Sequence, residues 1–336
     1  MFYNLIRPFL FSLPPETAHN VSLKSLSWLN HFSNYKYPIH HSVANKTIMS
    51  LNFPNKIGLA AGLDKNGEYI LALANLGFGF IEVGTVTPKP QPGNPKPRLF
   101  RIPQAQAIIN RMGFNNHGVD ALIKNIQRAN FKGILGINIG KNATTPLENA
   151  AEDYAFCLQK VYPYASYITV NISSPNTPGL RQLQNISDLN KLLATLKKKQ
   201  IECQDTYLKY VPLIIKISPD VDQKQLEDIA NSLLIHSMDG VVATNTTLSR
   251  HIVSSLPHAQ EVGGLSGKPL FQTSFAIVQT LSKYLNNKIP IIACGGISSV
   301  EDAEKMLKAG ASLIQIYTGL IYQGPDLIKN LIKATR

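Results

Sequence analysis

Tyr167-Ile168-Thr169-Val170-Asn171-Ile172-Ser173-Ser174-Pro175-Asn176 is a β-branched, apolar run that stops abruptly in hydrogen-bonding residues. Such a run suits a parallel strand covered on both faces, whereas a strand with one wet face alternates. Its polar end marks the carboxyl edge of the sheet, where parallel α/β folds gather their chemistry. Working outward, the same unit recurs. Strands are predicted at Ile57–Ala60, Phe80–Gly84, Ile134–Ile139, Tyr167–Ile172, Leu213–Ile217, Gly240–Ala243, Ile289–Ala293 and Ser312–Ile316. Helical stretches follow most of them, as at Gly67–Asn75, Gln223–Leu234 and Ser299–Ala309. Eight such units predict an α/β protein built as a closed (β/α)8 TIM barrel. A doubly wound open sheet is the alternative.

The chain has 336 residues, 44% of them hydrophobic, enough for one barrel and an appendage. A core of that size needs no disulfides. Cys157, Cys203 and Cys294 are scattered and odd in number, which suggests neither a zinc site nor a disulfide framework, and the chain reads as one for a reducing compartment. The formal net charge of +12 points to an anionic partner. No nucleic-acid signature accompanies it, and Lys197-Lys198-Lys199 is too short for a nucleic-acid arm. That leaves an anionic membrane surface or anionic small ligands.

The strand ends carry the candidate site. They read Ala61-Gly62-Leu63-Asp64-Lys65, then Thr85, then Asn138 with Lys141, then Asn171 to Ser174. Lys216, Thr244-Asn245-Thr246, Gly295-Gly296 and Tyr317-Thr318-Gly319 complete the ring. Lysines and amides dominate, and no His/Cys/Asp/Glu group has metal-ligand spacing, so no metal is expected. His19, His117 and His236 stand alone and read as structural or surface residues. The set suits an anionic ligand needing many hydrogen bonds, as a flavin with its phosphate does. Gly295-Gly296, ahead of a helix starting at Ser298 or Ser299, offers close approach and free N–H groups to a phosphate. An ordinary tight turn is the other reading. Gly263 to Gly267 is expected to be a flexible, N–H-rich loop that closes the phosphate pocket. Lys216, costly to bury alone, could face a flavin or a nearby acid. Two connections, Thr85–Lys132 and Ser173–Val211, are long, and the first is stiffened by Pro88, Pro90, Pro92, Pro95 and Pro97.

The first 45 residues form a separate segment ahead of the barrel at 46–336. Phe2, Leu5, Ile6, Phe9, Leu10 and Leu13 recur at helical spacing, and Pro14-Pro15 ends the pattern. A second helix starts near Pro15 and runs to about Leu29, and Tyr35 to Pro38 breaks it. Neither a transmembrane span nor a signal peptide is indicated. The hairpin either packs on the barrel or lies in a membrane interface.

Four segments then resemble one family. They are Ala60 to Lys65, Asn110-Arg111-Met112-Gly113-Phe114-Asn115, Asn171 to Gly179, and Ala243 to Thr247. They are similar to the signature segments of the dihydroorotate dehydrogenases, and the likeness runs the length of the chain. The resemblance implies an enzyme of pyrimidine biosynthesis that oxidises dihydroorotate to orotate with one FMN per chain. It implies FMN binding by Ala61, Gly62, Leu63, Asp64, Lys65, Thr85, Asn138, Asn171, Lys216, Thr244, Gly267, Gly296, Tyr317 and Thr318. It implies substrate binding by Lys65, Asn110, Arg111, Met112, Gly113, Phe114, Asn171, Asn176, Asn245 and Thr246, with Ser174 as catalytic base. A serine hydroxyl is a poor base and no histidine is at hand, so Thr177, three residues on, with a water is the candidate proton relay. Thr318 stands where serine is expected, which keeps a hydroxyl. The soluble members resemble this barrel but carry cysteine at the base. Ser174 and the hairpin therefore imply the class that passes electrons to a membrane quinone. That class is expected to be a peripheral protein of the cytoplasmic face of the cell (inner) membrane, and a monomer.

Overall fold

The architecture follows from the alternation of inward and outward positions along each strand. The computed structural model describes residues 2–32 and 46–335. Helices α1 (Phe2–Ser12) and α2 (Pro15–Phe32) lead to a hairpin of β1 (Lys46–Ile48) and β2 (Leu51–Phe53). Next come β3 (Ile57–Leu59), α3 (Ile70–Ala74), β4 (Phe80–Val86), β5 (Leu99–Ile102), β6 (Ala107–Asn110), α4 (Val119–Ala129) and β7 (Ile134–Ile139). Then follow α5 (Ala150–Val161), β8 (Tyr167–Asn171), α6 (Ile186–Tyr207), β9 (Leu213–Ile217), α7 (Gln223–Ile235) and β10 (Gly240–Ala243). The chain ends with β11 (Gly264–Gly267), α8 (Phe271–Leu285), β12 (Ile291–Cys294), α9 (Val300–Lys308), β13 (Leu313–Ile316), α10 (Thr318–Gln323) and α11 (Asp326–Ala334). Strands β3, β4, β7, β8, β9, β10, β12 and β13 pair in parallel in that order and close on themselves, so the sheet is a barrel and not the open alternative.

Side chains alternate across a strand, so each run serves two cores. Ile81, Val83, Ile137, Ile168, Val170, Ile215 and Ile217 pack with the surrounding helices. Phe80, Tyr167, Ile214, Val242, Ile292 and Leu313 form an inner layer with Ile48 and Phe53 of the β1–β2 hairpin, which therefore plugs the amino end of the barrel. The Phe53 and Phe80 rings meet edge-on at 5.2 Å. Gly58 leaves room for this layer, since a Cβ there would stand 2.2 Å from the Phe80 ring.

One step above the apolar floor stands Glu82, fully buried. Its carboxylate accepts from Asn138 Nδ2 (2.7 Å), Gln315 Nε2 (2.7 Å), Thr169 Oγ1 (3.0 Å) and the Tyr167 hydroxyl (3.1 Å). These donors come from three other barrel strands and match the acceptor capacity of a carboxylate. Burial, and then Glu82 beside it, push the Tyr167 phenol well above its ordinary range.

The long connection after β4 is not bare loop. It contributes β5 and β6, and β6 pairs with β11 to make a three-stranded antiparallel sheet beside the barrel mouth. The expectation of a flexible loop at Gly263 to Gly267 is thereby corrected. Gly264 to Gly267 has no apolar run to announce a strand, and its order is imposed by β6, which is distant in sequence. A Cβ at Gly264 would stand 1.9 Å from Thr246 Oγ1, so only glycine lets the two segments meet.

The N-terminal hairpin is docked by arginines. Arg98, itself buried, donates from Nη2 to Glu16 Oε1 of α2 (2.8 Å) and from Nη1 to the carbonyls of Pro92 (2.7 Å) and Asn94 (2.9 Å). Arg101 donates to the carbonyls of Leu10 and Leu13 and lies over the Phe11 ring. Arg7 Nη1 and the Tyr3 hydroxyl donate to Tyr322 and Ile321 carbonyls of α10 (2.7 and 2.6 Å). This uses the Tyr3–Arg7–Phe11 side of α1. Of the predicted apolar stripe, Leu5 (78% exposed), Ile6 and Phe9 (65%) face outward while Leu10 and Leu13 are half-buried, and Trp28 and Leu29 of α2 are exposed as well. Among the described residues no helix is long and apolar enough to cross a membrane. The expected pattern break at Tyr35 to Pro38 lies outside the described residues, as do Met1 and all of 33–45 of the expected 1–45 segment.

Replacing Glu82 by Ala strands four buried donors, so unfolding free energy should fall by about 3 kcal/mol or more. Glu82→Gln, which keeps one acceptor, should lose less. Urea denaturation at fixed pH measures both, and an unchanged midpoint for Glu82→Ala would contradict the role given to the carboxylate.

Candidate active site

From Glu82 a chain of amides climbs to the barrel mouth. The carboxylate accepts, so Asn138 turns its nitrogen down to it. The Asn138 oxygen then faces upward and accepts from Thr85 Oγ1 (2.6 Å) and Asn171 Nδ2 (3.3 Å). Asn171 in turn presents its oxygen to Asn245 Nδ2 (3.2 Å) and Ser173 Oγ (3.2 Å). Asn245 Oδ1 accepts from the Thr246 amide at 2.8 Å. Thr85 sits where the β4–β7 register slips between Val83 and Val86, a bulge that re-aims the strand end.

One pocket opens above this ladder, at the carboxyl ends of the strands, as barrels place their sites. Ala61, Gly62, Lys65, Thr85, Asn171, Lys216, Thr244, Gly267, Gly296, Tyr317 and Thr318 line it, together with Asn110, Met112, Gly113, Phe114, Ser174, Asn176, Asn245 and Thr246. Phe114 holds a φ of +53°, uncommon for an aromatic residue and often met at functional sites. Asn176 Nδ2 donates to Asn110 Oδ1 (3.3 Å) across the mouth.

The two neighbouring serines separate cleanly. Ser173 donates to Asn171 Oδ1 and accepts from Asn245 Nδ2 (3.0 Å), so its hydroxyl is engaged below the pocket. Ser174 lines the pocket, and its Oγ accepts from the Asn176 amide (3.2 Å). Three residues on, Thr177 Oγ1 is buried with no hydrogen-bond partner among the described residues.

Two lysines supply charge. Burial, followed by the charge of Arg98, pushes Lys65 down to about 8, and its ammonium donates to the Gly62 carbonyl (2.7 Å). Lys216 is buried and lines the pocket. Among the described residues it makes no ion pair, so the acid partner considered from the sequence is not present. A buried cation without a counter-charge is costly. An electron-rich, anionic ligand in the pocket meets that need, and Thr246 Oγ1 is a further buried atom without a partner among the described residues.

The turn after β12 leads into α9 through a capping box at the spacing the sequence shows. Ser299 and Asp302 form a capping box at the start of α9, and the Asp302 carboxylate takes the amides of Ser298 (2.9 Å) and Ser299 (3.1 Å). Those donors are spent on the helix and are not free for an anion. The Gly295-Gly296 backbone is what reaches the pocket. Gly296 has φ +76°, and a Cβ would lie 2.3 Å from the Phe271 amide nitrogen. On the far side, Thr318 Oγ1 and Ser266 Oγ of β11 lie 2.8 Å apart. The Tyr317 hydroxyl, raised to about 12 by burial, donates to the Gly62 carbonyl (3.3 Å).

Other expected residues are not brought to the pocket by their side chains. Leu63 packs into the outer core. Asp64, raised to about 6 by burial, accepts from the amides of Glu68 (2.9 Å) and Tyr69 (2.8 Å) and so shapes the turn into α3. Asn138 stands one layer below. Arg111 turns outward to Glu261 (2.7 Å) and over the Phe100 ring. Lys141 folds back on the carbonyls of Asn142 (3.1 Å) and Thr145 (2.8 Å). Conversely, Glu16 and His19 of α2 line the pocket. Burial alone raises Glu16, but Arg98, with Lys96 behind it, holds the carboxyl below its ordinary range. Burial and then Lys65 push His19 down to about 4, so its ring is neutral at pH 7. Their i, i+3 spacing on one helix face was the available signal, and His19 is not the isolated residue it seemed.

Comparison with known proteins agrees with this geometry. A family model described as Dihydroorotate dehydrogenase matches residues 43–335. A dihydroorotate dehydrogenase (quinone) of Acinetobacter baylyi is 57% identical over 99% of this chain and 99% of its own. One of Herminiimonas arsenicoxydans is 56% identical over 99% of this chain and 97% of its own. The crystal structure of DHODH from Eimeria tenella in complex with ferulenol superposes with a TM-score of 0.86 at 36% identity, covering 95% of this chain and 90% of that one. With a closed barrel, a polar mouth and relatives of this identity over nearly its whole length, the chain belongs to the dihydroorotate dehydrogenase family.

Proposed function

We propose that this protein oxidises dihydroorotate to orotate, with FMN as cofactor and a membrane quinone as final acceptor. The observation that carries the reading is the placement of Ser174. Ser174 lines the pocket in which Lys65, Lys216 and four asparagines (Asn110, Asn171, Asn176, Asn245) meet. Ala61, Gly62, Thr85, Lys216, Thr244, Gly267, Gly296, Tyr317 and Thr318 would hold FMN. When bound, FMN supplies the hydride acceptor and the electron relay to quinone. Lys216 would balance the negative charge that chemistry brings.

The chain's own residues do the rest. Lys65 meets the substrate carboxylate, and the asparagines hold the ring by its amide edges, which supplies proximity and orientation. Ser174 takes the proton from the carbon beside the one that loses hydride. A serine hydroxyl is a weak base and needs an outlet for the proton. The partnerless hydroxyl of Thr177, with a water, is the proposed outlet. The outward apolar face of the hairpin would rest on an anionic membrane surface, with the +12 chain attracted to it. Glu16 and His19 then bring the membrane-facing hairpin to the pocket wall, a route for quinone.

Ser174→Ala should slow flavin reduction by dihydroorotate by roughly 10²–10⁴, the scale of acid–base loss. A near-normal stopped-flow rate sinks the assignment. Lys65 is charged below about pH 8 and loses its proton as pH rises through that value. The apparent substrate Kd should therefore rise above pH 8, by up to about tenfold per unit. In Lys65→Arg the rise should be absent up to about pH 10, given the guanidinium pKa. A flat Kd from pH 7 to 9.5 in the unmodified enzyme argues against Lys65. Leu5→Glu with Phe9→Glu should weaken sedimentation with anionic phospholipid vesicles by roughly tenfold or more while flavin reduction is kept. Unchanged vesicle binding removes the hairpin from the membrane contact.

A further inference from the structure

Arg181 lies outside the pocket lining, on the short turn that follows Gly179. Its guanidinium nonetheless joins three strand-end loops. Nε donates to the Ser173 carbonyl (3.0 Å), Nη2 to the Thr246 carbonyl (2.8 Å), and Nη1 to Asp220 Oδ2 (2.7 Å). Asp220, in the loop after β9, also accepts from the Leu248 amide (2.7 Å) and from Thr247 Oγ1. The two side chains form a bridge from the β8 loop through the β9 loop to the β10 loop.

Which carbonyls are held matters more than how many. The Ser173 carbonyl belongs to the peptide plane that joins Ser173 to Ser174. Fixing that plane limits the backbone rotation that aims Ser174 Oγ. The Thr246 carbonyl belongs to the plane between Thr246 and Thr247, next to the Thr246 hydroxyl that stands without a partner among the described residues. One rigid guanidinium thus sets the base and a substrate-side residue relative to each other. A lysine, as a single point of charge, cannot hold three acceptors in one plane.

The geometry points to Arg181, braced by Asp220, as a positioning residue for the reaction: it holds the Ser173–Ser174 peptide so that the base meets the substrate. The inference rests on the reading of Ser174 as the base. Angular drift at that peptide moves the hydroxyl by a fraction of an ångström to an ångström, and a displacement of that size costs up to about 10²-fold in rate.

The test uses the flavin-loaded, full-length enzyme with dihydroorotate under anaerobic stopped flow. Arg181→Ala is expected to slow flavin reduction by roughly 10- to 100-fold, with flavin content and melting temperature near those of the unmodified enzyme. Arg181→Lys should recover only part of the rate, and millimolar guanidinium should partly restore Arg181→Ala. Should Arg181→Ala not fold, Arg181→Lys and Asp220→Asn carry the same test. In a Ser174→Ala background the loss caused by Arg181→Ala should shrink to within about twofold, because coupled residues are not additive. An unchanged rate in the Arg181 variants, or the same fold loss in both backgrounds, overturns the proposal and leaves the base assignment standing. A normal rate for Ser174→Ala alone overturns the base assignment, and the role of Arg181 falls with it.

Discussion

Glu82 is buried inside the barrel between an apolar floor and a polar mouth, and the rest of the molecule is organised around satisfying it. A carboxylate so placed is tolerated only with its acceptor sites filled. Asn138, Tyr167, Thr169 and Gln315 fill them from three other strands, which locks the relative heights of β4, β7, β8 and β13. The same requirement sets the direction of the amide ladder above. Because the carboxylate accepts, Asn138 shows its oxygen upward, and Asn171 shows its oxygen to Asn245 and Ser173. The pattern of donors and acceptors facing the pocket thus begins at a residue that never touches it.

The hairpin shows a related economy of contacts. Arg98 and Arg101 hold it by one carboxylate and by backbone carbonyls, while Ala18, Leu23 and Leu26 of α2 pack inward. Leu5, Ile6 and Phe9 stay outward, while Glu16 and His19 form part of the pocket wall. The segment that looked like a separate appendage is one side of the active site. Its position links the proposed membrane contact and the proposed chemistry physically, over the length of one helix.

Much of this was legible beforehand. All eight barrel strands are marked by mostly apolar runs with polar carboxyl ends, because burial on both faces favours that composition in a parallel strand. The strand-end residues of the pocket followed from that register. Glu82 carries no role in the local pattern, because a lone acid in a mostly apolar strand does not show which distant donors will surround it. Strand β11 was misread because Gly264 to Gly267 carries no strand signal of its own, and its partner β6 lies more than a hundred residues earlier. The free amides expected at α9 were taken by Asp302, a competition between a cap and a ligand that spacing alone does not decide.

By itself the amino-acid order determined the barrel, the ring of amides and lysines at its mouth, and the family likeness, since each is carried by local pattern. Only the tertiary structure decided which serine faces the pocket. Ser173 and Ser174 are chemically identical and adjacent, and Ser173 is excluded by Asn171 and Asn245 holding its hydroxyl. Folding likewise placed His19 in the site, turned Arg111 and Asp64 away from it, and assembled Arg181 with Asp220 across three loops. These are relations between distant segments. They depend on hydrogen-bond partners that the closed barrel brings within reach and that no local periodicity encodes.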